Sequence, residues 1–246
     1  MTGILWPKIK KTLQAIGLDV QRYRPHEHLT GTSLESSLMR LQKHGVNIAT
    51  LIDVGASNGS WALEFEAAFP NISCLLIEAN PTHKPALDEL CRRKPGFQYE
   101  MKAAGAMEGT LYFDGSDPWG GHLAEQPRSP SYLPCPVTTI DHEVECHQLK
   151  GPFAIKLDTH GVEVPILNGA ARTLEQTEIV VIECYNFPAD PPQLPFWDMC
   201  RWMFERGFRP LDLNGVGFRP HDYAFWQMDI VFARQDRKEF SYPSYQ

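Results

Sequence analysis

The sequence has no paired cysteines. Its six, Cys74, Cys91, Cys135, Cys146, Cys184 and Cys200, are scattered without a C-x-x-C spacing, which argues against a structural zinc site or a redox dithiol. Cys74 and Cys184 stand in apolar runs and are expected to be buried small hydrophobes. No apolar stretch approaches the roughly 20 residues that span a bilayer, so no membrane span is expected. Lys8, Lys10 and Lys11 interrupt the first residues, so no signal peptide is expected, and a reducing cytoplasm is the default compartment. Positive charge is also short: 23 Lys and Arg stand against 30 Asp and Glu, a net charge of −7. That balance disfavours non-specific binding to nucleic acid or to an anionic membrane. No repeat and no clear linker divide the 246 residues, and 43% hydrophobic with 22% charged residues suit one large globular domain.

What is present is an alternation. Strand-like apolar runs at 50–54, 72–77, 97–101, 153–157 and 179–182 alternate with helical patterns at 60–69, 82–91 and 162–174. Such order predicts an α/β fold, a doubly wound, mainly parallel sheet of about seven strands with right-handed crossovers. Before it, residues 1–49 form an extension. There Leu34, Leu38 and Leu41 recur at helical spacing, Ser33 starts a helix and Gly45 stops it. The main domain is expected over 50–234, with a polar tail at 235–246. An extra strand is expected at 109–114, a long loop at 115–136 and a short strand at 137–140. A helix at 197–206 would place Trp197, Trp202 and Phe204, with Phe208, in the core. Strands at 208–213 and 229–233 would be joined through a turn at Asn214-Gly215.

The stretch 51–60, L-I-D-V-G-A-S-N-G-S, carries the first chemistry. A buried strand ends on Asp53, and Gly55 and Gly59 free the loop that opens the next helix, whose N–H groups attract anions. Open α/β sheets bind ligands at such strand ends. Glu78 ends the next strand and can accept both hydroxyls of a ribose, as in dinucleotide folds. The glycine that a G-x-G-x-x-G dinucleotide fingerprint needs in the middle is missing, so S-adenosylmethionine suits the loop better than NAD. Ser57, Asn58 and Ala79 belong to the same loops, and Ala103 and Ala104 can line an adenine slot.

The second constellation is K-L-D-T-H-G-V-E, residues 156–163. Asp158, His160 and Glu163 follow a buried strand within one loop. Asp158 or His160 could remove the proton from an acceptor hydroxyl, or the same residue types could hold a divalent metal such as magnesium. Glu163 could equally be a first-turn acid of the following helix. His122, after Gly120-Gly121, could close over a substrate or face solvent. Trp119 and Trp226 could stack on an acceptor, and Glu183 and Tyr185 end a strand on the same rim.

Taken together, D-V-G-A-S-N-G, I-E-A-N-P, T-T-I-D, K-L-D-T-H-G-V-E-V-P-I-L-N-G-A and V-I-E, over about residues 50–185, resemble the FkbM family of methyltransferases. The resemblance implies a class I, Rossmann-like S-adenosylmethionine fold and methyl transfer to oxygen on sugars or natural products. It implies Asp53, Gly55 and Gly59 in the cofactor loop, Glu78 on the ribose, and Asp158 and Glu163 as the acids of the second motif. Ala79 departs from the family's proline, and His160 from its Glu or Gln. The partners expected are a small-molecule acceptor, glycosylated or not, and a second copy of the chain is compatible. A non-catalytic binding module and an NAD-dependent enzyme are the alternatives.

Overall fold

The computed structural model describes residues 27–117, 121–187 and 193–245. In chain order the strands are β1 (Thr50–Val54), β2 (Ser73–Ile77), β3 (Phe97–Glu100), β4 (Ala103–Ala104), β5 (Gly109–Asp114), β6 (His122–Ala124), β7 (Tyr132–Thr138), β8 (Phe153–Leu157), β9 (Thr177–Tyr185), β10 (Phe208–Phe218) and β11 (Phe225–Arg234). Seven form one sheet in the order β10-β11-β9-β8-β1-β2-β3. The β11 strand is antiparallel to both its neighbours, and the β3, β2, β1, β8 and β9 pairs are all parallel. This is the doubly wound, mainly parallel sheet expected, and its strand order switches direction between β1 and β8, where open sheets leave a crevice for ligand.

The strands form where they do because both faces are covered. All five residues of β1 and of β8 are buried, as expected of predominantly apolar central strands, the polar ones Thr50, Asp53 and Lys156 included. Alternate residues feed two cores. Leu51 and Leu76 pack with Leu38, Leu41, Phe65 and Leu90 on one side; Ile52, Ile155 and Leu157 pack with Ile166, Met199 and Met203 on the other. The extension is tied down by the helix Leu34–Lys43, capped by Ser33, whose Oγ accepts from the Ser36 N–H. Its Arg40 forms a bidentate pair with Asp212 of β10, at 2.7 and 2.6 Å. Residues 1–26 lie outside the described region. Cys74 and Cys184 are buried free thiols. No helix among the described residues is long and apolar enough to cross a membrane.

Several expectations need correction. The long loop at 115–136 contains β6 and most of β7, which with β4 and β5 build a second sheet in the order β4-β7-β5-β6. The strand expected at 137–140 begins at Tyr132 and ends at Thr138, and an unexpected helix follows at Ile140–Cys146. The helix at 162–174 is two, Glu163–Asn168 and Ala171–Leu174: the backbone leaves helical geometry at Gly169 and Ala170, with φ −80° ψ 5° and φ −118° ψ 19°, where Gly169 packs against the backbone of Gly105 too closely for a side chain. Asn214-Gly215 is no turn. Gly215, at φ +63°, bends β10 from within, and its N–H donates to the Thr32 carbonyl. The chain reverses at 219–224 instead. In the helix Phe196–Phe204 the buried residues are Met199 and Met203, while Trp197 and Phe204 are 47% and 56% exposed; Phe208 is in the core as expected.

Candidate active site

A cavity of about 460 Å³ opens at the carboxyl ends of β1, β2, β8 and β9. The small sheet contributes Phe113, His122 and Leu123 to its wall, and the loop between β6 and β7 contributes Arg128. Of the residues singled out in the sequence, Gly55, Ser57, Glu78, Ala79, Ala103, Ala104, Asp158 and His160 line it; Asp53, Asn58, Gly59 and Glu163 do not. Lys102 and His83 line it without any signal in the sequence, and Asn80, part of the I-E-A-N-P motif though not singled out there, lines it as well.

One end is organised by Glu78. Its Oε2 accepts from the Ser57 N–H at 2.7 Å and its Oε1 from the Asn80 N–H at 2.6 Å, so one carboxylate joins the loops after β1 and β2. Two oxygens offer about four acceptor directions, which leaves two for a ligand. Ala103 and Ala104, small and buried, sit beside it. Gly59 is required to be glycine by packing as well as by backbone. Its φ is +78°, and a Cβ there would run into Leu90 of the neighbouring helix.

The other end is acidic. Asp158 follows β8, and Glu183 lies in β9 with Tyr185 two residues on. His160, in the left-handed region at φ +53°, turns its Nδ1 to the Tyr185 hydroxyl at 2.8 Å and to Glu183 Oε2 at 3.3 Å. The Tyr185 hydroxyl and the Gln227 amide both donate to Glu183. Glu163 is buried behind this turn. Its Oε1 accepts from the Gly161 N–H at 2.8 Å and from the Thr159 hydroxyl at 3.3 Å, so it shapes the loop that presents His160. Burial raises its carboxyl above the usual range. His122 and Gly121 line the cavity from the small sheet; Trp119 and Gly120 lie outside the described residues. Trp226 packs edge-on against Tyr185.

Beneath the rim lies Lys156, 1% exposed, with Nζ 3.0 Å from Asp158 Oδ2. Burial opposes its charge, but Asp158, Asp229 and Asp53 outweigh that and raise its pKa. Burial likewise works against the Asp158 charge, but the Lys156 ammonium, a side-chain hydrogen bond with Glu183 and the nearby His160 together offset it, holding that carboxyl below its usual range. Asp53 is 1% exposed, paired in register with Lys156, and its Oδ2 has no hydrogen-bond partner among the described residues. Burial pushes its carboxyl up to about 7, against the attraction of Lys156.

This shift predicts a pH effect. Between 3.8 and about 7 the native state keeps a proton on Asp53 that the unfolded chain has lost. The stabilisation is therefore complete below the unfolded value and is lost as pH rises through the folded one. Asp53→Asn removes the titration. Urea unfolding is expected to show the variant gaining on the wild type from pH 4 to pH 7.5, by up to roughly 4 kcal/mol at about 1.4 kcal/mol per unit. A difference that stays constant with pH would refute it.

The Methyltransferase FkbM domain family matches residues 53–210, more than half of the chain. No curated protein matches the sequence. Among solved structures, similarity extends to the precorrin-6y C5,15-methyltransferase of Geobacter metallireducens GS-15, at 12% identity over 82% of this chain and 89% of that one, TM-score 0.43. It also extends to the 1,6-didemethyltoxoflavin-N1-methyltransferase of Burkholderia thailandensis, at 11% identity over 88% and 93%, TM-score 0.46. The mitomycin 7-O-methyltransferase MmcR is similar at 12% identity over 81% and 54%, TM-score 0.39. By the match that starts at Asp53 and runs through both constellations, the chain belongs to the FkbM family of S-adenosylmethionine-dependent methyltransferases.

Proposed function

We propose that the protein transfers the methyl group of S-adenosylmethionine to a hydroxyl oxygen of a small molecule, a sugar or other natural product. The observation that carries this reading is one cavity with two unlike ends: a carboxylate clamp at Glu78, and a group of Asp158, His160 and Glu183. At the first end the two oxygens of Glu78 keep directions free for the ribose hydroxyls, and Ala103 and Ala104 leave a flat apolar slot for adenine. Asp53 would act from below, through β1, rather than by contact. Bound there, S-adenosylmethionine supplies an electrophilic methyl on a sulfonium.

At the second end Asp158 or His160 takes the acceptor proton while its oxygen attacks the methyl carbon in line and the carbon–sulfur bond breaks. Holding two reactants in that geometry can be worth roughly 7–11 kcal/mol. An amine nitrogen is the second reading, favoured by the carboxylates of Asp158 and Glu183 on the cavity wall, which would steady an ammonium before it loses its proton.

Calorimetric titration with S-adenosylhomocysteine and, separately, NAD tests the proposal. Binding of the first and none of the second is expected; the reverse would overturn it. Glu78→Ala removes a charged acceptor of two N–H groups and of the ribose. It is expected to weaken S-adenosylhomocysteine about a hundredfold, since a hydrogen bond to a charged group contributes roughly 1.5–3 kcal/mol. A loss under about threefold would remove Glu78 from the cofactor site.

A further inference from the structure

Two groups of described residues each bring three metal-ligating atoms within 4.8 Å of one another. One is Glu100, Glu143 and His147; the other is Asp158, His160 and Glu183. Each already contains a lysine. Lys102 Nζ lies 2.8 Å from Glu143 Oε1 and 3.0 Å from Glu100 Oε2. Lys156 Nζ lies 3.0 Å from Asp158 Oδ2.

We propose that Lys156 is the resident cation of the acceptor end: its buried ammonium holds Asp158 in the place a divalent metal would otherwise take, so that Asp158, His160 and Glu183 meet the acceptor without a metal. The proposal rests on the methyltransferase reading for its meaning, though not for its test. Three observations carry it. The lysine belongs to the middle of the sheet, in β8, and its stem is fixed by the strand while its Nζ sits over the Trp61 ring at 5.5 Å. It faces Asp53 across the β1–β8 register and interacts with Asp229 of β11, so leaving would strand carboxylates from several strands.

The other two groups of the site are also engaged. Both oxygens of Glu183 accept from protein donors, Gln227 and Tyr185, and His160 Nδ1 meets the Tyr185 hydroxyl. A divalent ion among these ligands would share Asp158 with an ammonium, and two cations held on one carboxylate repel each other. Lys156 is thus a positioning residue: it acts through Asp158, not on the acceptor.

Manganese(II) alone serves as the probe, with the loss of its free electron paramagnetic resonance signal measured on the full chain. The wild type is expected to bind it no better than Asp158→Asn does. Lys156→Met, which keeps the length of the stem and loses the charge, is expected to bind it at least about tenfold more tightly. Lys156→Arg should stay like the wild type, and adding Asp158→Asn to Lys156→Met should abolish the gain. S-adenosylhomocysteine titration of each variant reports the cofactor site independently, so failure of the methyltransferase reading would be seen separately. Tight, Asp158-dependent manganese binding by the wild type would overturn the proposal. So would a folded Lys156→Met that binds no more tightly. Should that variant not fold, the wild type, Lys156→Arg and Asp158→Asn still decide it.

Discussion

Replacing Asp158 by asparagine is expected to slow methyl transfer about a thousandfold, the range that a positioned acid or base contributes, while changing S-adenosylhomocysteine affinity less than about threefold. The Asp158 carboxylate is grouped with Lys156, His160 and Glu183, whereas the cofactor clamp is Glu78 with Ser57 and Asn80. Asparagine keeps the size of the side chain and loses both the charge and the basicity. The buried lysine does not lose all its compensation, because Asp53 and Asp229 still face it. Asp158 is one of the charges that hold the Asp53 proton on, so its removal lets Asp53 ionise more readily and take up the balance. The fold should therefore survive. Turnover with methyl-labelled S-adenosylmethionine and the best acceptor of a hydroxylated small-molecule panel, set beside calorimetry, separates the two effects. Equal losses of turnover and cofactor affinity would move Asp158 to the cofactor site.

The parallel strands could be read from the sequence because burial on both faces leaves mostly apolar runs, interrupted in β1 by Asp53 and in β8 by Lys156. β1 and β8 start and stop where those runs do. The second sheet could not be read that way. Pro134 and Pro136 count against a strand, yet both lie in β7, whose partner β4 pairs only at Val137 and Thr138, so the edge beside the prolines needs no N–H donor there. The helix Ile140–Cys146 was hidden by its own polarity: Asp141, His142, Glu143 and Glu145 leave little apolar periodicity, and its start rests on the Thr139 cap, whose hydroxyl accepts from the His142 N–H. Gly215 shows the limit of turn chemistry, since a left-handed glycine bends a strand as readily as it ends one.

The site divides along the same line. Residues in the loops directly after β1, β2 and β8 could be named because motif spacing puts them at strand ends. Lys156 was visible only as a charged residue in an apolar strand. Which carboxylates surround it depends on strand register across β1, β8 and β11, and no local pattern encodes that. Asp53 and Glu163 were legible as acids of the site, but the depth at which they sit was not. Both are buried, Asp53 within β1 and Glu163 beneath the loop whose Gly161 N–H donates to it.

The second large effect is expected from one methyl group, in Gly55→Ala. Gly55 has φ +77°, and a Cβ there would overlap the carbonyl oxygen of Asp158. Neither side can yield easily. The Gly55 N–H donates to the Ile77 carbonyl at 2.9 Å, and the Asp158 N–H donates to the Val54 carbonyl at 3.0 Å, so the ends of β1, β2 and β8 are bonded to one another at this point. A left-handed alanine costs roughly 1–2 kcal/mol, and displacing a packed neighbour typically a further 1–3 kcal/mol. The melting temperature should fall by roughly 10 °C, at about 2–4 °C per kcal/mol for a chain of this size. Gly45→Ala is the control: its φ is +68° but nothing lies within 4 Å, so it carries the strain without the collision and should cost no more than about 2 kcal/mol. If the two variants melt alike, strain alone explains Gly55. If Gly55→Ala falls further and loses both S-adenosylhomocysteine binding and turnover, the glycine is required by the contact between the cofactor loop and the loop that carries Asp158. Unlike Asp158→Asn, which is expected to separate the two ends of the cavity, this substitution should disturb them together, because the backbone that sets their spacing meets at Gly55.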